Sequence, residues 1–163
     1  MIVVIADTSP LRYLVQIGHI DLLSRLFARI SIPHAVANEL SHPSAPAPIR
    51  SWIEHPPHWL DVIDAHTTDD SDLLTLDPGE RSAIALGLSL KANLILIDDR
   101  KGNQVARLKG FETTGTLGVL DLAAKQRLMD LRDAIGRPKQ TNFRYRRDVI
   151  EAMLSSRTKE HEP

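Results

Sequence analysis

Met1-Ile2-Val3-Val4-Ile5-Ala6-Asp7-Thr8-Ser9-Pro10 opens the chain as an apolar, β-branched run that stops at a carboxylate and two hydroxyls. A continuous run of this kind fits a strand buried on both faces, and Pro10 with Leu11-Arg12-Tyr13-Leu14 reads as the first turn of a helix. Asp7 then stands at the carboxyl end of a strand, the rim where open parallel sheets bind ligands. A purely local account also exists. Ser9 makes a good N-cap before Pro10 at the first helical position, with Asp7 adding negative charge to the helix's positive end.

The other strand signals lie further on. Leu94-Ile95-Leu96-Ile97 is a second buried strand, Ile30 to Ile32 a short one, Phe111 to Thr113 another, and Trp59 to Ile63 a strand or extended edge. Helices are expected over Leu11 to Ile17, Ile20 to Phe27 with a break near Gly18, from Pro33 through Leu40, Ile49 to Glu54, Pro78 to Lys91, Arg100 to Leu108 and Leu117 to Leu128. His42 to Pro48 reads as a proline-rich connector, and the polar, acidic Thr67 to Leu76 as a surface loop. The alternation of strand and helix predicts an α/β protein, a three-layer α/β/α sandwich with a mainly parallel central sheet. The division expected is a domain over 1–130 followed by a helical extension and polar tail over 131–163.

Composition narrows the function. The chain has 163 residues, 42% hydrophobic and 25% charged, with a net charge of -1, as an ordinary globule does. Such a charge argues against coating nucleic acid with the whole surface, so any contact of that kind needs a local basic patch. The absence of cysteine removes disulfides, thiolate catalysis and thiolate zinc sites, and fits a cytoplasmic protein. Met1 leads straight into the strand and no apolar run reaches membrane-spanning length, so neither a secretory leader nor a membrane span is expected.

The acids recur at matching places. Asp98-Asp99 follows a strand and precedes a helix, as Asp7 does; because adjacent strand residues face opposite sides, one of the pair is expected in the crevice and the other as a helix cap. Asp77-Pro78-Gly79-Glu80 has the form of a capping box. Yet Glu80, Ala83, Ile84, Gly87 and Leu88 fall at the spacing of one buried stripe, which turns Glu80 toward the sheet. Glu39, beside Val36 and Leu40 on its helix, can turn either way. Carboxylates gathered at one rim cannot all ionise without a cation, and an oxygen-only donor set suits magnesium or manganese rather than zinc or copper. A hard divalent ion at such a rim points to hydrolysis of a phosphate ester.

In their order and spacing, Asp7-Thr8-Ser9, Glu39, Asp77-Pro78-Gly79-Glu80 with Ala83-Ile84-Ala85-Leu86, and Leu96-Ile97-Asp98-Asp99-Arg100-Lys101 resemble the PIN-domain nucleases. Thr114-Gly115-Thr116-Leu117-Gly118-Val119-Leu120 extends the similarity to prokaryotic PIN-like proteins that are often toxins of toxin-antitoxin pairs. The resemblance covers residues 1–130. It implies a divalent-metal-dependent endoribonuclease acting on RNA, commonly a homodimer, with an antitoxin protein as partner. Asp7, Glu80 and one of Asp98 and Asp99, with Asp99 preferred, would hold magnesium or manganese directly or through water. Glu39 would complete the acidic cluster, and Thr8 or Ser9 would orient a water or a phosphate oxygen. Glu80 stands where many members carry Asp, which lengthens the reach.

Other polar features point less specifically. The seven histidines are scattered, and the prolines of His55-Pro56-Pro57-His58 prevent a helical zinc pair. Thr113 to Gly118 has the form of a phosphate-cradling turn or of a plain capped one. Arg137, Lys139, Arg144, Arg146 and Arg147, interleaved with Phe143 and Tyr145, suit RNA phosphates and bases. The same stretch with Val149, Ile150, Met153 and Leu154 also suits an amphipathic helix against the body or a partner, and an antitoxin peptide fits such a groove. Two rival functions remain: a catalytically silent PIN-like binder of RNA or antitoxin, and a haloacid-dehalogenase-type phosphatase, which needs Asp where this chain has Ser9.

Overall fold

The computed structural model describes residues 2–65 and 68–129. The extension expected over 131–163, with the basic run from Arg137 and the tail from Arg157, lies outside the described residues. β1 (Val4–Ala6), β2 (Ile30–Pro33), β3 (Leu60–Ile63), β4 (Leu94–Leu96) and β5 (Glu112–Thr114) form a sheet in the order β3-β2-β1-β4-β5, every neighbouring pair parallel. From the central β1 the chain winds outward through β2 to β3, then returns to β4 on the other side of β1. The strand order therefore reverses between β1 and β4, and a crevice opens there at the carboxyl ends.

Strand periodicity divides the side chains between two cores. Val4, Ala6, Ile30, Ile32 and Leu96 join α1 (Thr8–Gln16), α2 (Leu22–Phe27), α3 (His34–Leu40), α4 (Ala47–Glu54) and α8 (Thr116–Lys125) on one face. Ile5, Ile95 and Ile97 join α5 (Ser71–Leu74), α6 (Pro78–Leu90) and α7 (Arg100–Leu108) on the other. Alternate residues of each central strand thus enter opposite layers, so β1 and β4 read as unbroken apolar letters. The result is the three-layer sandwich expected from the sequence.

Several local expectations change. The first helix begins at Thr8, with Asp7 rather than Ser9 at the N-cap position, because the strand ends at Ala6 and leaves no room for a two-residue loop. Pro33 closes β2 and caps α3 instead of lying inside it. The acidic segment read as a surface loop contains α5: Asp70 accepts a hydrogen bond from the Asp72 amide, and Leu73 and Leu76 are buried as two apolar anchors among polar letters. Leu88, placed by spacing on the buried stripe of α6, is exposed, whereas Leu86 is buried.

Candidate active site

Each acid at the rim is aimed by strand parity. Asp7 continues the ladder one residue past β1, its amide donating to the Leu96 carbonyl at 2.8 Å. It shares the parity of Ile5 and so turns to the face of α6. Asp98 has the parity of Leu96 and turns toward α8, where Thr116 donates to it from both amide and hydroxyl, each at 2.6 Å. Asp99 has the parity of Ile97 and turns toward α6, while its Oδ2 caps α7 by accepting from the Gly102 amide at 2.9 Å.

α6 supplies the facing wall. Asp77 Oδ1 accepts from the Glu80 amide at 2.9 Å, which is the capping half of the motif. Pro78 at the first helical position and Asp77 at the cap fix where the helix starts, and that start turns Glu80 inward. Glu80 is only 8% exposed and Asp7 only 4%. Thr8 donates its hydroxyl to Glu39 Oε2, which brings the α3 acid to the same rim. The Glu39 carboxylate fills the space over Gly79, where an added Cβ would lie 2.5 Å from Oε1. Gly79→Ala should therefore push Glu39 out and break its bond to Thr8. Because alanine suits a helix better than glycine by about 1 kcal/mol, the melting temperature should hold or rise while any activity that needs Glu39 falls. A variant that melts earlier and retains full activity would contradict this placement.

Burial and mutual charge set the protonation of these groups. Burial raises the Asp7 carboxyl to about 7; the Thr8 amide opposes the shift, and the charges of Asp77, Glu39 and Asp98 add to it. Burial likewise raises Glu80 to about 8, reinforced by Asp77, Asp99 and Asp7 and by a hydrogen bond between the Glu80 and Asp77 side chains. Asp98 is raised by burial too, but its bonds to Thr116 counter the effect. Thr116→Val would remove the hydroxyl donor to Asp98 Oδ2 and keep the amide bond to Oδ1, and should destabilise the fold by about 1–3 kcal/mol, measurable by urea unfolding. An unchanged unfolding midpoint would show that Asp98 is satisfied elsewhere.

Asp7, Glu39, Asp77, Glu80, Asp98 and Asp99 are thus electrostatic neighbours around the β1–β4 crevice. As they lie, no three acids or histidines among the described residues stand close enough to hold a metal ion. Each is tied instead to a protein donor or to another acid. The donor chemistry still fits a hard divalent cation: the ligands are all oxygen, and two of them are held toward their neutral forms first by burial and then by repulsion that a cation would cancel.

Sequence reasoning assigned Asp77 to capping alone, because the cap explained it completely. The structure makes it the strongest charge acting on both Asp7 and Glu80. The Thr113 to Gly118 turn, read as a possible phosphate cradle, offers its Thr116 amide and hydroxyl to Asp98. Ser9, on α1 next to Thr8, is half-buried. His34, at the rim end of β2, pairs with Asp64 at 2.9 Å.

A five-stranded parallel sheet between helical layers, with acids at its topological switch point, defines an α/β protein with a candidate ligand site at the carboxyl ends of its strands. A family model described as PIN domain matches residues 3–159, and the chain belongs to the PIN-domain family. A comparison with curated proteins finds no match.

Proposed function

We propose that the protein is a divalent-metal-dependent endoribonuclease that hydrolyses RNA phosphodiester bonds and acts as the toxin of a toxin-antitoxin pair. The observation that carries this reading is the burial of Asp7 and Glu80 as electrostatic neighbours at the rim of a PIN fold, where their two negative charges are tolerable together only beside a cation. Asp7, Glu80 and Asp99 would hold magnesium or manganese; Asp99 keeps one oxygen outside its capping bond, whereas both oxygens of Asp98 bind Thr116. Bound there, the ion supplies Lewis-acid chemistry, neutralising phosphate charge and making a water more acidic.

The chain's own residues do the rest. Asp7 and Glu80 give up their protons as the cation arrives. Thr8 holds Glu39 so that its carboxylate stays at the rim to accept a proton or orient a water. Asp98 braces the start of α8 and adds charge behind Asp7. RNA as substrate, an antitoxin protein as partner, a homodimeric state and a cytoplasmic setting belong to the same reading, supported by the resemblance to prokaryotic toxins. No helix among the described residues is long and apolar enough to cross a membrane. The test is incubation of the purified protein with structured RNA, unstructured RNA and single-stranded DNA, with manganese, with magnesium and with chelator. Cleavage of RNA that chelator stops supports the reading; failure to cleave RNA under any of these conditions removes it.

A further inference from the structure

The acids of α6 are carried on a short turn, and something must hold that turn at a fixed distance from the strand-end acids. Thr75, Leu76 and Asp77 connect α5 to α6. The Lys101 ammonium of α7 donates to the Thr75 carbonyl at 3.1 Å, and Arg81 Nη2 donates to the Leu76 carbonyl at 3.2 Å. Both carbonyls ahead of Asp77 are therefore held by cationic side chains. At the other end of α7, Lys109 pairs with Asp70 at 2.7 Å and Asp72 at 3.0 Å, fixing α5 itself. The first turn of α7 also lies against Glu80: a Cβ on Gly102 would sit 3.5 Å from Glu80 Cδ and 2.5 Å from Ile97 Cδ1. One helical turn thus carries Asp99, leaves room for Glu80 at Gly102 and reaches through Lys101 to the residue two before Asp77.

Resting on the cation-binding reading above, we propose that Lys101 is a positioning residue that sets the spacing between the α6 acids Asp77 and Glu80 and the strand-end acid Asp99. Its bond to Thr75 is exposed, so on its own it adds little to stability. Its effect lies in geometry, since metal sites lose affinity when the groups that orient their ligands are removed. Arginine can reach the same carbonyl with a charged N–H donor, whereas methionine keeps the stem and loses the donor.

The test compares the wild type with Lys101→Met and Lys101→Arg in two measurements. One is hydrogen exchange at the Glu80 amide, which the Asp77 side chain protects; the other is manganese affinity by titration calorimetry. Lys101→Met should speed exchange at Glu80 and weaken manganese binding about tenfold, with little change in melting temperature, and Lys101→Arg should restore both. Unchanged exchange at Glu80, or faster exchange with unchanged affinity, would overturn the proposal while leaving the nuclease reading in place. A wild type that binds no manganese would overturn both, and that outcome is recognisable before any variant is made.

Discussion

Asp7→Asn should reduce metal-dependent RNA cleavage by about 100-fold or more, because residues that only orient a ligand already cost about 10–100-fold when replaced. Asparagine keeps the size and the N-cap position of Asp7, which makes no capping hydrogen bond through its side chain, so the fold should survive. The same variant should relieve any growth inhibition caused by expressing the protein. In metal-free solution it should melt no earlier than the wild type, since the change removes a buried carboxyl whose ionised form its surroundings disfavour. Full cleavage by Asp7→Asn would take Asp7 out of the chemistry.

The second large effect concerns pH. The carboxyls of Asp7 and Glu80 are raised from 3.8 and 4.5 to about 7 and about 8. Between those limits the folded chain binds more protons at these groups than the unfolded chain does, so their contribution to stability falls as pH rises. It is fully present below the ordinary carboxyl range, is lost as pH climbs through about 7 to 8, and is level above that. Asp70, whose carboxyl Lys109 holds below its ordinary value, has the opposite dependence, so the test is a difference between proteins. Glu80→Gln removes one raised acid while its amide can still donate to Asp77 as the protonated acid does. Without metal, its melting temperature should match the wild type near pH 5 and exceed it near pH 9. Manganese should reverse the order at the higher pH by stabilising only the protein that can bind it. A constant difference between the two proteins across that range would mean that Glu80 titrates normally.

Much of this architecture was legible in the letters. Val3 to Ala6 and Leu94 to Ile97 are unbroken apolar runs because their alternate residues enter different cores, and each run ends in the acid that the sheet places at its rim. The Pro78-Gly79-Glu80 start and the Ala83, Ile84 and Gly87 spacing fixed α6 and the inward turn of Glu80. What escaped reading was local competition. Asp77 caps a helix so well that its charge on two buried neighbours went unseen. α5 hides in a polar stretch because its burial rests on Leu73 and Leu76 alone. The Thr113 to Gly118 turn read as either a phosphate cradle or a plain capped turn, and nothing nearby in sequence says that the Thr116 donors serve Asp98, eighteen residues earlier. Lys101 closes the Leu96 to Lys101 motif but gives no sign of reaching Thr75, since a lysine in a first helical turn is usually just solvated.

The central claim is that Asp7 and Glu80, whose carboxyls burial raises to about 7 and about 8, belong to one pocket that takes a divalent cation. Manganese titration calorimetry at pH 7 in two buffers of different ionisation enthalpy measures this directly. Binding should release roughly one proton or more per site, and Asp7→Asn and Glu80→Gln should each weaken binding and reduce the release. Manganese binding with no proton release, or with the same release in both variants, would place the cation elsewhere and contradict the account.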